Sequence, residues 1–160
     1  MKNLYLLRHA NTFPSTDNDK DRILTPKGVK EIKSISQQEQ LQKSKIDIVL
    51  CSTSTRTTQT LHHLEDFLYK NFYTEFKEKL YNPKLEDLLS AVQEIPDHFS
   101  DLMVISHNPA ISDIANYLLQ DSNISLGTAH IINIALDIDS WLKIRETHSI
   151  LKWTIKPVTL

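Results

Sequence analysis

The stretch LYLLRHA (residues 4–10) joins a short apolar run to two basic side chains. Residues 4–7 are continuous in large apolar side chains, which is typical of a strand covered on both faces of a parallel sheet. Arg8 and His9 then place a guanidinium and an imidazole where that strand ends. Charged groups at the end of a buried strand are costly unless an anion meets them, so this position is a candidate anion site.

Two more apolar runs of the same kind follow, IDIVLC at 46–51 and LMVIS at 102–106. Apolar residues also recur at three- and four-residue spacing, which predicts amphipathic helices within 61–68, 85–92 and 111–119. A further helix is predicted to begin after Thr25, an N-cap followed by a first-turn proline, and to run towards Gln42. This order predicts an α/β fold, a three-layer sandwich whose mainly parallel central sheet is flanked by helices.

The C-terminal part departs from the alternation of strands and helices. AHIINIALDI (129–138) alternates in part between apolar and polar residues, and WLKIRE (141–146) with ILKWTIKP (150–157) is interpreted as a hairpin around His148 and Ser149. We therefore expect added strands towards the C-terminus, some of them antiparallel. At 160 residues the chain is expected to form one domain, 1–160.

Composition excludes several function classes. The formal net charge of -2 gives no bias towards polyanions, so nucleic acid is not expected as a partner. Cys51 is the only cysteine, which rules out an intrachain disulfide, makes a zinc site improbable and fits a reducing cytoplasm. The apolar run before Arg8 has only four residues, too few for a signal-peptide core or a membrane span, so a cytoplasmic location without membrane association is expected.

Glycine is scarce, with Gly28 and Gly127 alone in the chain. This scarcity excludes a glycine-rich phosphate loop of either the nucleotide-triphosphate or the dinucleotide kind. If the protein holds phosphate, side chains must do it.

Three predicted strand ends bring basic side chains to one edge of the sheet. The first ends in Arg8 and His9, the second leads through CSTSTR to Arg56, and LMVIS ends in His107. Ligands of open α/β sheets bind beyond the carboxyl ends of the strands. The natural occupant of such a cluster is a compact, doubly charged anion such as a phosphoryl group.

Each of these residues also has a structural interpretation. A lone Arg8 could pair with Asp17 or Asp21, and single histidines often serve as hydrogen-bonded structural groups. Arg56 near a helix start opposes the helix dipole, which argues against a purely structural role. Four such residues at three strand ends favour a site.

The remaining histidines and the aromatic cluster are given structural roles. His62 and His63 are adjacent on a predicted helix and point in different directions, so a shared metal ion is not expected. His98 and His148 are predicted to be exposed, and His130 to be structural although near the active edge. The aromatic residues predicted to pack in a helix and the core are Phe67, Tyr69, Phe72, Tyr73 and Phe76.

Four segments together resemble the histidine phosphatase (phosphoglycerate mutase-like) superfamily, in its short SixA-type branch of phosphohistidine phosphatases. LYLLRHANT resembles the arginine-histidine signature, and DRILTPKG (21–28) an Asp-Arg-x-Leu-Thr-x-x-Gly segment. CSTSTRTTQT (51–60) is similar to Ser-Ser-Pro-x-x-Arg-x-x-Gln-Thr, and VISHNPAI (104–111) to a segment containing His-Asn-Pro. GTAHIINIALD, from 127 onward, resembles the family's Thr-Ala strand entry.

The resemblance implies roles for the residues. His9 would be the nucleophile that forms a transient phosphohistidine, while Arg8, Arg56 and His107 bind the phosphoryl oxygens. The matching segments also imply further substrate-binding residues: Arg22, Asn108, Thr128 and Ala129. No metal and no cofactor is implied, because arginines supply the positive charge.

Three positions depart from the family pattern. Thr53 replaces a proline, and Ser106 stands where many members have glycine. Larger members carry a glutamate general acid where this chain has Tyr81 and Asn82, and Glu86 and Asp87 are predicted to be the first turn of a helix instead. A site without a strong acid favours a leaving group that departs easily, such as the imidazole of phosphohistidine.

The expected function is thus a metal-independent phosphatase acting on phosphohistidine of a protein, of the phosphorelay or phosphotransferase type, and monomeric. The chain also lacks the long insertions that cap the pocket in larger relatives, and an open pocket suits a protein substrate. Two alternatives stay open, a small-molecule phosphomonoesterase and a phospho-binding module of weak activity. If the polar loop 16–21 closes over phosphate, Asp21→Ala is expected to alter affinity.

Overall fold

The described residues, 1–14, 17–68, 71–121 and 123–158 of a computed structural model, form one six-stranded sheet. Its strands are β1 (Lys2–Arg8), β2 (Ile48–Ser52), β3 (Tyr73–Lys77), β4 (Asp101–Ser106), β5 (Ile131–Leu136) and β6 (Ser149–Ile155). The spatial order is β3-β2-β4-β1-β5-β6. The first four are parallel, whereas β5 runs antiparallel to β1 and β6 antiparallel to β5. The predicted α/β class with a mainly parallel sheet is confirmed.

Helices cover both faces of this sheet. They are α1 (Pro26–Ser36), α2 (Glu39–Gln42), α3 (Thr55–Leu64), α4 (Leu85–Gln93) and α5 (Ala110–Leu119). Helices α1 and α3 pack together in one layer, and α4 and α5 in the other. The strand β1 shows why two cores form: Leu4 and Leu6 face the α4–α5 layer, whereas Tyr5 and Leu7 face the α1–α3 layer. No helix among the described residues is long and apolar enough to cross a membrane.

The start of α1 is fixed by local chemistry. The Thr25 side chain accepts a hydrogen bond from the Gly28 N–H, and Pro26 occupies the first turn. A Cβ at Gly28 would lie 2.2 Å from the Asn11 carbonyl oxygen, so only glycine allows the helix to approach the loop after β1 this closely. The predicted single helix towards Gln42 is wrong, because Gln37 ends α1 before α2 begins.

The predicted hairpin of WLKIRE with ILKWTIKP is also wrong. WLKIRE forms a 3₁₀-helix, Trp141–Glu146, and β6 pairs with β5 instead. Trp141 and Ile144, three residues apart, are the buried positions of that helix, as its period requires. The indole N–H of Trp141 donates to the Phe99 carbonyl at 2.9 Å, which anchors the segment over the α4–α5 layer.

The packing of the aromatic residues between positions 67 and 76 was only partly predicted correctly. Phe72 packs against the core, but Phe67, Tyr73 and Phe76 are exposed, and Tyr69 lies outside the described residues. Tyr73 and Phe76 belong to β3, an edge strand that the sequence did not indicate. Four of its five residues are exposed, so it has no apolar periodicity to recognise.

Cys51 lies in β2 and is fully buried in the α1–α3 core. Burial raises the pKa of its thiol to about 12. The side chain therefore acts as a small apolar group of the core.

Candidate active site

The carboxyl ends of β1, β2 and β4 meet at one edge, because these three strands are neighbours in the sheet. Arg8 is the last residue of β1, and His107 directly follows β4. Arg56 is the second residue of α3, which follows β2 and is capped by the Ser54 side chain. The imidazole centroids of His9 and His107 are 5.3 Å apart. The structure thus brings together the four residues that the strand ends predicted.

His9 is 6% exposed, and its Nδ1 lies 2.8 Å from the Ala10 carbonyl oxygen. A carbonyl can only accept, so Nδ1 carries the proton and Nε2 keeps its lone pair. Burial, together with the charges of Arg56 and Arg8, lowers the pKa of His9 to about 4. At neutral pH the ring is therefore neutral, the form that attacks phosphorus.

His107 is held in a different way. Its Nε2 lies 2.7 Å from the Ser52 hydroxyl at the end of β2, which ties β4 to its neighbour strand. Burial lowers the pKa of His107 to about 3, with Arg56 as the next contribution. Its Nδ1 is buried without a hydrogen-bond partner among the described residues.

The two arginines have different partners. Arg8 donates through Nη1 to the Leu126 carbonyl at 3.1 Å, and burial lowers its pKa. Arg56, 5% exposed, donates to both the carbonyl and the carboxylate of Asp19, at 2.9 and 3.2 Å. The Nε of each is buried and unpaired. The described residues hold four such buried, unpaired side-chain atoms, and three of them belong to Arg8, Arg56 and His107.

Asp19 is a site residue that the sequence did not indicate, and Tyr81, which stands where larger members carry a glutamate, contacts it. The Tyr81 hydroxyl donates to the Asp19 carboxylate at 2.8 Å, and its ring meets His107 edge-on with centroids 5.8 Å apart. The hydrogen bond from Tyr81, followed by the nearby guanidinium of Arg56, lowers the pKa of the Asp19 carboxyl. The same hydrogen bond raises the pKa of Tyr81. A carboxylate held in its charged form is a poor proton donor, so Asp19 orients the arginines instead.

The polar loop reaches the site through Asp19, and its closure over phosphate stays a prediction. Asp21 is exposed, whereas Asp19, two positions earlier, meets the arginines. Thr16, at the start of the loop, lies outside the described residues. The sequence of this polar run does not distinguish Asp19 from Asp21. Only the 3₁₀-helix Asp19–Asp21 directs one of the two towards the arginines.

Arg22 lies at the same edge, as the resemblance implied. Its Nη1 pairs with Asp19 at 3.2 Å, and its other donors reach the Phe13 carbonyl and the Thr12 hydroxyl. Its charge is one of those that lower the pKa of His9. Its role as a substrate-binding residue stays a prediction.

Asn108, Thr128 and Ala129 all contact the protein itself. The Asn108 amide donates to Leu126 and accepts from Ser112, at 2.8 and 2.6 Å. The N–H of Ala129, whose φ is 52°, donates to the carbonyls of both Arg8 and His9. These contacts position the loop before β5 against β1, and direct contact with substrate stays a prediction for all three.

Glu31 joins this loop to the signature segment. It is 9% exposed, and its carboxylate accepts from the Asn11 N–H and from the Thr128 hydroxyl, each at 2.7 Å. Its charge also raises the pKa of Arg8 against the effect of burial. A glutamate three residues after Gly28 in a helix gave no signal of this role, because only the fold brings Thr128 to it.

Both small departures from the family pattern form contacts near the site. The Ser106 hydroxyl donates to the Leu80 carbonyl at 2.9 Å, which positions the residue before Tyr81. The Thr53 hydroxyl donates to Glu78 at 2.7 Å. Asp87 accepts from the Lys84 N–H at 2.8 Å and thus caps the start of α4, as predicted.

The histidines outside the site lie where the sequence placed them. His62, His63, His98 and His148 are exposed. His130 is buried and lies 2.6 Å from the Thr154 hydroxyl on β6, a structural contact between strands. In the part of the chain that the structure describes, no three His, Cys, Asp or Glu side chains group closely enough to hold a metal ion.

Comparison with known proteins identifies the family. Residues 4–80 match the model of the histidine phosphatase superfamily (branch 1). An uncharacterized protein of Mycobacterium leprae is 30% identical over 114 residues, which cover 68% of each chain. The chain therefore belongs to the histidine phosphatase superfamily, and its function as a phosphatase is supported at that level.

Solved structures show the same fold. A protein named as the phosphohistidine phosphatase SixA of Nakamurella multipartitia superposes with a TM-score of 0.84 at 24% identity, covering 99% of this chain and 97% of that one. The protein histidine phosphatase SixA in complex with tungstate gives 0.82 at 22% identity, with 97% of both chains covered.

Proposed function

We propose that this protein is a metal-independent phosphohistidine phosphatase that works through transient phosphorylation of His9. The observation that carries the proposal is the set of buried, unpaired atoms on Arg8, Arg56 and His107 around a neutral His9 imidazole. Unpaired buried polar atoms are rare in proteins and cost free energy, so a cluster of them favours a bound polar ligand. A phosphoryl group offers oxygens to all three.

The reaction takes two displacements. His9 Nε2 attacks phosphorus, the bond from phosphorus to the substrate's imidazole nitrogen breaks, and that nitrogen takes up a proton from solvent water. Water then attacks the phosphorus on His9, the bond to Nε2 breaks, and phosphate leaves with His9 neutral again. Arg8 and Arg56 stabilise the charge that gathers on the equatorial oxygens during both steps.

The leaving group decides the choice of substrate. Asp19 is held ionised by Tyr81 and Arg56, so no group identified at this edge is poised as a strong acid. An imidazole departs without one more readily than an alkoxide does. The SixA structure with tungstate, an oxyanion shaped like phosphate, supports an oxyanion site in this fold. We further infer a cytoplasmic monomer whose substrate is a phosphorylated protein of the phosphorelay or phosphotransferase type.

The test measures phosphate release from a phosphohistidine peptide and from p-nitrophenyl phosphate in EDTA. His9→Ala is compared with His130→Ala, because both histidines are buried but only His9 lies at the site. We expect release to be lost in His9→Ala and kept in His130→Ala, with an acid-labile phosphoenzyme in the wild type. Preference for sugar phosphates would indicate a small-molecule phosphomonoesterase, and phosphate binding without release would indicate a binding module.

A further inference from the structure

We propose that a lysine-lined groove beside the catalytic edge docks an acidic segment of the phosphorylated protein substrate. The proposal rests on the phosphohistidine phosphatase activity proposed above. The groove encloses about 1030 Å³ between α1, the loop before β5 and the segment after β6. The backbone N–H of Val158 donates to the Ser34 hydroxyl at 2.8 Å and so ties the last of these walls to α1.

Positive charge is concentrated in this groove. Lys27, Lys30 and Lys33 follow one another at three-residue spacing along α1, and Lys156 lines the groove from the segment after β6. All four are exposed, and none forms an ion pair within the described ranges. The chain as a whole carries a formal charge of -2, so the groove has the opposite sign to the protein. Such a field attracts and orients an acidic partner.

Among the residues that the structure describes, the one acidic residue lining the groove is Glu31, which is already hydrogen-bonded. Glu31 is buried, accepts hydrogen bonds from both Asn11 and Thr128, and forms no ion pair with a lysine among the described residues. The positive charge of Lys156 also acts on His130, which lines the groove. Burial is the larger cause of the lowered pKa of His130, and the charge of Lys156 is the second.

The groove and the site share a wall. Thr128 lines the groove, and the next residue, Ala129, donates its N–H to the carbonyls of Arg8 and His9. Thr128, on the lining of the groove, is thus next in sequence to the residue whose N–H bonds the backbone of His9. The segment of the substrate protein that flanks a phosphohistidine bound at His9 can extend from there along α1.

The lining fits carboxylates better than other anions. Its described residues include no Phe, Tyr or Trp, which removes the stacking surfaces that single-stranded nucleic acids use. Lysine ammonium groups are point charges that pair with carboxylates spread along a chain. The volume also exceeds what a lone phosphate group fills.

Binding is measured by fluorescence anisotropy with a labelled, unphosphorylated peptide rich in Asp and Glu. The groove variant is Lys33→Glu with Lys156→Glu. The charge-matched control is Lys84→Glu with Lys152→Glu, since Lys84 precedes α4 on the other face and Lys152 acts on Asp101 at the start of β4. We expect binding about tenfold weaker in the groove variant, and about unchanged in the control, with affinity falling as salt rises.

Equal affinity of the groove and control variants, or no binding by the wild type, would overturn the groove as an acidic-segment site. Tighter binding of duplex DNA or of anionic vesicles to the same lysines would overturn it too, by assigning another occupant. Hydrolysis of p-nitrophenyl phosphate should be unchanged in both variants. If the peptide binds at the groove but the wild type releases no phosphate from phosphohistidine peptides, the proposed function fails and the groove stands.

Discussion

Arg8 and Arg56 reach the same edge of the sheet, yet their surroundings differ. Arg56 donates hydrogen bonds to both the carbonyl and the carboxylate of Asp19. The same carboxylate accepts a hydrogen bond from the Tyr81 hydroxyl. Arg8 donates to a single neutral carbonyl, that of Leu126, and forms no ion pair within the described residues. One guanidinium is thus preorganised by an anion of the protein, and the other depends on the charge of Glu31 nearby.

The difference shows how a cluster of cations is stabilised in the absence of a ligand. Asp19 offsets part of the repulsion while the site is empty, whereas the buried charge of Arg8 is a cost to the folded state that a phosphoryl group removes. The two arginines should therefore contribute alike to catalysis and unlike to stability.

The largest expected effect comes from replacing either arginine. Arg8→Gln and Arg56→Gln should each lower kcat on p-nitrophenyl phosphate by about 10²–10³, because each removes a donor to the transition-state oxygens. Thermal unfolding separates the two. Arg56→Gln should lower Tm, since it leaves Asp19 without its ion pair, whereas Arg8→Gln should leave Tm unchanged or raise it. A similar loss of Tm in both variants would contradict the comparison.

Asp19→Asn should leave Arg56 without an ion pair among the described residues, as Arg8 is in the wild type. Removing the carboxylate charge should tighten the binding of inorganic phosphate about fivefold to tenfold, measured as its inhibition constant, while kcat falls because Arg56 and Arg22 lose their shared anchor. Asp21→Asn is the matched control on the same 3₁₀-helix and should change neither quantity. Weaker phosphate binding in Asp19→Asn would show that the carboxylate helps to hold the ligand.

The pKa of His9 measures the electrostatic contribution of each arginine separately. After burial, Arg56 is the larger contribution and Arg8 the next, so the pKa should rise from about 4 by more in Arg56→Gln than in Arg8→Gln. Activity requires the neutral ring and falls as pH drops through this pKa, so the acid limb of kcat/KM should move to higher pH in both variants. NMR titration of the His9 ring, assigned with His9→Gln, gives the values directly. No rise in either variant would show that burial alone sets the value, and an equal rise would show that the two arginines contribute equally.

Burial of neutral imidazoles also predicts how stability depends on pH. His9, His107 and His130 have folded-state pKa values of about 4, 3 and 4, below the ordinary value near 6.5. The unfolded chain therefore binds more protons between these values, and the free energy of unfolding should fall as pH is lowered below about 6.5. Urea unfolding at pH 7.5 and 5.5 measures the slope, and His130→Gln should reduce it without touching the site.

The smallest expected effect is that of Tyr81→Phe. The change removes the hydroxyl that orients Asp19 but keeps the ring against His107, so kcat should fall only about threefold to tenfold, the range of one hydrogen bond. The pKa of Asp19 should rise at the same time, because the hydrogen bond from Tyr81 is the first cause of its lowering. A loss as large as that of the arginine variants would assign Tyr81 a direct part in the chemistry.

The sequence predicted the parts of the fold that carry a strong apolar signal. Strands β1, β2 and β4 are continuous apolar runs, and the rule that ligands lie beyond strand ends was enough to group His9, Arg56 and His107. The sequence did not indicate β3, whose residues are mostly exposed, nor the 3₁₀-helix at Trp141–Glu146.

The sequence also did not predict which acidic residues lie beside the arginines. Asp17, Asp19 and Asp21 look alike in sequence, and only the fold places Asp19 on Arg56. Glu31 looks like an ordinary helix residue until the loop before β5 brings Thr128 to it. Ion pairs across distant segments depend on tertiary geometry, which local patterns do not encode.

The burial of Cys51 has a practical consequence. Enzymes that use a cysteine thiolate as nucleophile are inactivated when peroxide or an alkylating reagent reaches that sulfur. Here the only thiol in the chain is inaccessible and stays protonated at neutral pH, while the proposed nucleophile is an imidazole. We therefore expect the proposed activity to persist under oxidative conditions that inactivate cysteine-dependent phosphatases.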